Sequence, residues 1–292
     1  DQVRNLSTDY AGNLFLAGSI NGRGDYEGEP LSGSQNDAIL SKYAPGGQLL
    51  WSLRFGGNAD DLAHDVAADG SGGVFATGTF EGSVQFGDFE LISHGGRDGF
   101  VLRLDANGEV LWATSFGGPA DEQAYTLHYQ ANTVYVGGSF EETALFGTRY
   151  LSTGGNHANG FILSIDPDSG SIIEATAIVS TQKSVVNDLT IDSNGRVIAT
   201  GEFAGDLAAR DLISANLDGQ RFHATFDGNL SELNATGILG TVADRAGFAD
   251  RAIALSTGGS LGFPAYVEPV IETVEPKDPE VETDTLTLEE DD

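Results

Sequence analysis

The chain of 292 residues has 44 acidic and 14 basic side chains, a formal net charge of −30, so nucleic acids and anionic membrane surfaces are poor partners. It has no cysteine, which excludes disulfides and thiolate chemistry, and no apolar run approaches the ~20 residues that a membrane helix needs. A hydrophobic fraction of 40% allows a sizeable core. From the charge and the short apolar runs we expect no nucleic-acid partner and no membrane insertion.

A short apolar segment that ends in glycine recurs along the chain. The shared glycines, 60, 60 and 63 residues apart, are Gly18, Gly78, Gly138 and Gly201. Two other markers keep the same phase: Asp37, Asp98 and Asn159 lie 61 residues apart, as do Trp51 and Trp112. Three markers in phase predict a structural repeat of about 60 residues.

Each unit contains four strand-like runs bounded by turn residues. In the second unit they are His64–Ala68, Val74–Phe80, Gly99–Leu104 and Val110–Phe116. Asp, Asn and Gly in the short connections favour tight hairpins, and a long loop, Glu81–Asp98, joins the second and third runs. Leu62 and Val66 have helical spacing, but the counterparts of this segment alternate with period two, which favours a strand.

A repeated four-stranded antiparallel meander of this length predicts an all-β fold, a β-propeller of about five blades. Four full units cover residues 1–61, 62–122, 123–182 and 183–245, and a partial fifth covers 246–263. A five-bladed ring is the first interpretation, and a piece of a larger propeller is the alternative.

The last 29 residues differ in composition from the rest. Residues 264–292 hold 11 of the 44 acidic side chains and four of the eight prolines. This composition predicts an acidic linker or disordered tail, because little apolar surface is available to offset the entropy of ordering. Alternatively, Val267–Val274 or Thr283–Leu288 supplies strands to a blade.

Two segments of the second unit carry a family resemblance. The stretch from Asp98 to Gly118 reads DGFVLRLDANGEVLWATSFGG, and Val66–Gly78 precedes it. Together they closely resemble the SBBP-type β-propeller repeat of secreted bacterial proteins. The resemblance implies an extracellular or cell-surface setting, often within multidomain proteins, and carries no catalytic motif.

Acidic residues in two connections between units form a candidate ligand or cation site. Phe55–Asp61 ends with Asp60 and Asp61, and Phe116–Glu122 ends with Asp121 and Glu122. Such connections lie near the central channel of a propeller, where clustered carboxylates could bind Ca²⁺. The alternative is turn chemistry and solvated charge, since Lys183 follows the third connection and would oppose a cation.

Other polar residues favour structural roles. The turn Asp166–Gly170 fails the EF-hand pattern, because its glycine comes at the fifth position. Asp37, Asp98 and Asn159 precede third strands, where a short side chain bonds the local backbone. No two of the five histidines form a ligand-spaced pair, and His64 and His128 fall near corresponding places in successive units.

Trp51 and Trp112 occupy equivalent positions, which Glu174 and Asn234 take in the third and fourth units. This variation indicates an outer strand and packing between blades. Together these observations predict a non-enzymatic extracellular or cell-surface module. The connections between second and third strands, Asn21–Asn36, Glu81–Arg97 and Glu141–Ala158, would form a variable face for a protein or glycan partner. The alternatives are a lectin or carbohydrate-active enzyme, and a subunit of a surface filament or larger assembly.

Overall fold

A computed structural model describes residues 2–21, 24–26, 29–31, 35–57, 59–209, 212–213 and 220–238. These residues form strands and turns without a helix. Four four-stranded antiparallel sheets make four blades of a β-propeller, which confirms the predicted fold class. None of the described segments could cross a membrane as a helix. The partial fifth unit, 246–263, and the tail, 264–292, lie outside the described residues.

Blades 1 and 2 each contain four main strands, and a hairpin lies between the second and third. Blade 1 consists of β1 (Gln2–Thr8), β2 (Leu14–Asn21), hairpin strands β3 (Gly24–Tyr26) and β4 (Glu29–Leu31), β5 (Asn36–Tyr43) and β6 (Leu49–Phe55). Blade 2 consists of β7 (Leu62–Ala68), β8 (Val74–Phe86), β9 (Phe89–Leu104) and β10 (Val110–Phe116). In blade 2 the hairpin is a direct extension of β8 and β9.

Blades 3 and 4 repeat the plan. Blade 3 consists of β11 (Glu122–Gln130), β12 (Thr133–Phe140), hairpin strands β13 (Thr143–Phe146) and β14 (Arg149–Ser152), β15 (Asn159–Ile165) and β16 (Ile172–Ser180). Blade 4 consists of β17 (Lys183–Ile191), β18 (Val197–Ala204), hairpin strands β19 (Leu207–Ala209) and β20 (Leu212–Ile213), β21 (Gln220–Phe226) and β22 (Glu232–Ile238). Leu62–Val66 is therefore in a strand, as predicted.

The segments predicted as long loops between second and third strands contain hairpins, and that part of the prediction is wrong. Alternating apolar residues reach the tips, where Gly87 and Gly147 take the positive φ that the turns require. The hairpins of blades 3 and 4 also pair with the preceding blade: Leu145 pairs with Gly117, and β19 pairs with β16. These hairpins are thus partly used in joining blades.

Phenylalanines on the hairpins seal the joints between blades. Phe86 lies 4.8 Å from both Phe55 of blade 1 and Phe100 of its own blade, measured between ring centroids. Phe146 repeats this at the next joint, 5.3 Å from Phe116 and 5.1 Å from Phe161. Both hairpin rings are buried, so each joint has an aromatic centre. At the third joint the buried Ile178, Leu207 and Phe222 lie in one hydrophobic cluster.

Aspartates close the short turns by accepting backbone N–H groups. Asp9 Oδ1 accepts from Ala11 and Asn13, and the same arrangement recurs at the later turns. The other turn aspartates are Asp69, Asp105, Asp166, Asp192 and Asp227. This includes the Asp166–Gly170 segment, which confirms the interpretation of that segment as a hairpin turn.

Candidate functional site

The innermost strand of every blade has a β-bulge at the same place. The pairing registers of β1, β7, β11 and β17 with their neighbours each skip one residue. The four skipped residues are Arg4, His64, Tyr125 and Asn187. A bulge bends its strand and re-aims a side chain, so one equivalent position in each blade is turned out of the regular pleat.

These four side chains line one cavity among the four inner strands, with a volume of about 500 Å³. We call it the bulge cavity. Gln2, Val3 and Asn5 complete its lining. The cavity lies toward the end of the blades where inner strands begin, which we call the cavity end. The aspartate turns that follow the inner strands lie at the opposite end, the turn end.

His64 is held in one orientation and one tautomer. Its Nδ1 lies 2.7 Å from the carbonyl oxygen of Ala124 in blade 3, so Nδ1 carries the proton and donates it. Burial lowers the pKa of His64 to about 4, and the ring is neutral at pH 7. Nε2 is therefore the hydrogen-bond acceptor of the ring.

The neighbouring bulge residues differ in chemistry and exposure. The ring of Tyr125 stacks on His64, with 5.5 Å between centroids, and its hydroxyl donates to Gln123 Oε1 over 2.9 Å. Burial raises the pKa of Tyr125 above its ordinary value. Arg4 and Asn187 are exposed. The cavity thus combines a fixed aromatic pair with two accessible polar side chains.

A chain of hydrogen bonds next to the bulges joins three blades. Asn5 Nδ2 of blade 1 donates to Asp65 Oδ1 of blade 2 over 2.5 Å. Asp65 Oδ2 accepts from the backbone N–H of Leu127 in blade 3 over 2.6 Å. Burial raises the pKa of Asp65 to about 6, although these donors favour its charged form. These hydrogen bonds through Asp65 hold together the inner strands that carry the bulges.

The structure places Asp61 and Glu122, two of the four predicted carboxylates, inside the connections between blades. Both are fully buried. Asp61 Oδ2 accepts from Gly57 N over 2.7 Å, and Glu122 Oε2 accepts from Gly118 N over 2.6 Å. Burial raises the pKa of Asp61 to about 7 and that of Glu122 to about 8. Asp61 and Glu122 therefore each close the connection in which they lie.

Asp60 and Asp121 contact the blade that precedes them. Asp60 Oδ1 accepts from the backbone N of Asn36 over 2.8 Å, and Asp121 Oδ1 accepts from Arg97 N over 3.0 Å. The described part of the chain contains no group of three or more His, Asp or Glu residues placed to hold a metal ion. A ligand-binding role for these four residues remains a prediction, beside the structural contacts observed.

The positions before the third strands vary in their partners. Asp98 Oδ2 accepts from the backbone N of His94 over 3.1 Å, as expected for local backbone bonding. Asn159 Oδ1 instead accepts from Ser180 N over 2.9 Å, at the end of β16 and 21 residues along the chain. Asp37 differs, because it pairs with the guanidinium of Arg54.

The tryptophans lie on outer strands and bond across joints, as predicted. Trp51 Nε1 donates to Ala106 O over 3.1 Å, and Trp112 Nε1 donates to Pro167 O over 2.9 Å. Each acceptor is in the turn between the third and fourth strands of the next blade. This pair is therefore used in packing between blades.

The bulge position was not recognised from the sequence. His64 aligns with Tyr125 in the structure, whereas His128 lies three residues further along β11. A usable signal was present: Arg4, His64, Tyr125 and Asn187 each follow a small or branched apolar residue that repeats in phase. A position that differs in every unit, beside positions that repeat, indicates a surface used for something other than packing.

Comparison with known proteins gives a similarity over part of the chain. No protein-family model matches the chain. A segment is 33% identical over 151 residues to a protein of Caulobacter vibrioides described as "Regulatory protein FlaEY". The match covers 47% of this chain and 15% of that relative, so the chain corresponds to a small part of the relative's length.

Proposed function

We propose that this protein is a non-enzymatic β-propeller module, displayed outside the cell, that binds a partner with its cavity end. One observation carries the proposal: residues that join blades repeat in type, whereas the residues turned into the bulge cavity are Arg, His, Tyr and Asn. Packing alone would favour similar residues at equivalent positions. A different side chain from each blade suits recognition of an asymmetric ligand.

Two further points support binding over turnover, and a third supports the setting. The buried carboxylates Asp61 and Glu122 are engaged with backbone N–H groups of their own connections. The described relative is named a regulatory protein, a description that fits a protein acting by binding. The resemblance to SBBP-type repeats supports an extracellular or cell-surface setting.

The test compares two ends of the same molecule. The immobilised protein is used to capture partners from the extracellular fraction of its source organism, and the captured partner is purified and its affinity remeasured. We expect Arg4→Gln with Asn187→Ala to weaken binding about tenfold or more. Arg196→Gln, an exposed arginine at the turn end, is the matched control and should leave binding unchanged.

An enzymatic result would overturn the proposal. A screen of glycan and ester substrates that reveals turnover, abolished by substitution of one carboxylate such as Asp61 or Glu122, would show a catalytic protein instead. Unchanged partner affinity in the Arg4 and Asn187 double variant would show that binding uses another surface.

A second candidate is a subunit of a filament or larger surface assembly. The face of β1 favours it, because none of the described blades covers Val3, 62% exposed, or Leu6, 51% exposed. Measurement of the native particle size distinguishes this candidate from a free monomer.

A further inference from the structure

The bulge cavity carries a positive charge in a strongly acidic protein. Of the described side chains that line it, Arg4 alone is charged at pH 7, since His64 is held neutral. The whole chain has 44 acidic residues against 14 basic ones. A cation at this position is therefore contrary to the overall charge and would draw an anionic group into the cavity.

Arg4 in the bulge cavity lacks the carboxylate partner that most of the other described arginines have. Four other arginines in the described part of the chain form ion pairs with carboxylates. These are Arg54 with Asp37, Arg103 with Asp69 and Asp168, Arg149 with Glu174, and Arg196 with Asp192. No ion pair is formed by Arg4 among the described residues. Its guanidinium is free to take a carboxylate by two parallel hydrogen bonds.

A second cation lies near this end of the cavity. The positive charge of Arg97 acts on both His64 and Tyr125, as does that of Arg4. The opposing charge recorded for Tyr125 is that of Asp121, which is engaged with the backbone N of Arg97. Two guanidinium groups therefore act on the bulge residues, with Asp121 opposing them at Tyr125 and the Asp65 carboxylate bonded to Asn5 behind the lining.

The rest of the lining fits hydroxyl groups better than apolar side chains. Gln2 and Asn187 each offer an amide donor and acceptor, and His64 Nε2 offers an acceptor. Val3 is the one aliphatic residue among the lining side chains described. An apolar peptide side chain would meet one aliphatic side chain there, whereas most of the lining groups are hydrogen-bond donors or acceptors. A volume of about 500 Å³ is within the range of ~300–1,000 Å³ of small-ligand sites.

We infer that the bulge cavity binds a carboxylate-bearing sugar, with Arg4 holding the carboxylate and Asn187, Gln2 and His64 Nε2 bonding to hydroxyls. This inference rests on the proposed function and adds the chemical class of ligand. The carboxylate provides charge recognition, and the hydroxyls match the mixed donors and acceptors around it.

The experiment is calorimetric titration of the full chain with digalacturonate, with lactose as the neutral disaccharide control. We expect digalacturonate to bind and lactose to bind at least about tenfold more weakly. Arg4→Gln should weaken digalacturonate binding about 10- to 100-fold, the range for a lost hydrogen bond to a charged group. Arg196→Gln is the control at the turn end and should bind as the wild type does. Because Arg4 is exposed, its substitution leaves the core intact, which near-ultraviolet circular dichroism checks.

Several results would overturn the inference. Equal binding of digalacturonate and lactose would exclude carboxylate recognition, and equal affinity of wild type and Arg4→Gln would place the ligand elsewhere. Binding of an acidic peptide in place of digalacturonate, lost in Arg4→Gln, would show a protein ligand. If digalacturonate fails while the purified partner binds in an Arg4-dependent way, this inference fails and the proposed function stands. If neither binding depends on Arg4, both fail.

Discussion

Equivalent residues on the first strands of blade 1 and of the later blades differ in burial in the described part of the chain. In blade 1, Val3 is 62% exposed and Leu6 is 51% exposed. The equivalent pairs are Ala63 and Val66, Ala124 and Leu127, and Val186 and Leu189, and all six residues are buried. The same inner-strand pattern therefore contributes to a core only where a neighbouring blade covers it.

The difference shows that a blade buries its faces through its neighbours. Ala63 and Val66 belong to one hydrophobic cluster with Phe15 and Ala38 of blade 1. Repeat proteins gain their stability from such nearest-neighbour interfaces as well as from each unit. Substitutions at the joints should consequently cost more than substitutions of similar residues at the exposed face.

The largest effect is expected at the aromatic centre of a joint. Phe146→Ala should lower the free energy of unfolding by about 3–5 kcal/mol, because it empties a fully packed position between Phe116 and Phe161. Tyr150→Ala, on the same hairpin but 73% exposed, is the control and should change stability by less than about 0.5 kcal/mol. Urea denaturation measures both, and equal losses would contradict the role of the joint.

The next effect tests the comparison directly with one residue type. Leu127→Ala should cost about 2–4 kcal/mol, because blade 2 covers this side chain. Leu6→Ala, at the equivalent exposed position, should cost less than about 0.5 kcal/mol. If the two substitutions lower the free energy of unfolding equally in denaturation experiments, the face of blade 1 that carries Leu6 is covered in solution.

A pH-dependent effect is expected from Glu122, whose pKa burial raises to about 8 in the folded protein, against an ordinary value of 4.5. Between these values the folded state holds a proton that the unfolded state has lost, so stability falls as pH rises through this window. Glu122→Gln cannot ionise and should show a flatter profile of unfolding free energy between pH 5 and about 9.

The exposed Glu109→Gln is the control for this profile and should follow the wild type. Asp61, whose pKa burial raises to about 7, contributes with the same sign and remains in both variants. A Glu122→Gln profile that parallels the wild type would show that Glu122 is ionised throughout in the folded protein.

The smallest effect is expected at an indole hydrogen bond. Trp112→Phe should cost about 0.5–1.5 kcal/mol, because the bond to Pro167 O is lost while Arg103 Nη1 still donates to that oxygen over 3.0 Å. Trp51→Phe should behave alike, since Lys42 Nζ remains 3.2 Å from Ala106 O. A cost above about 3 kcal/mol in urea denaturation would show that ring packing dominates.

Much of the fold could be predicted from periodicity. Glycines such as Gly78 and Gly138 mark the second strands because a Cβ there would clash with the backbone of the neighbouring first strand. Turn aspartates such as Asp69 and Asp105 mark the hairpins, because their carboxylates accept the local N–H groups. Such local requirements repeat in the sequence wherever they repeat in the structure.

The hairpins and the contacts of the candidate site were harder to predict from the sequence. Phe86-Gly87 and Phe146-Gly147 recur 60 residues apart, but their burial depends on the preceding blade. The sequence places Asp60, Asp61, Asp121 and Glu122 in the connections between blades, while their backbone partners become visible only in three dimensions.

The sequence by itself determined that this protein is built from repeated four-stranded units with a strongly acidic surface, because turn chemistry, strand alternation and charge are properties of short segments. The tertiary structure decided which equivalent residues are buried, as with Leu127 and Leu6, and which are collected around one cavity, as with Arg4 and Asn187. Those outcomes depend on how separate blades pack, and residues about 60 or more positions apart in the chain become neighbours only through that packing.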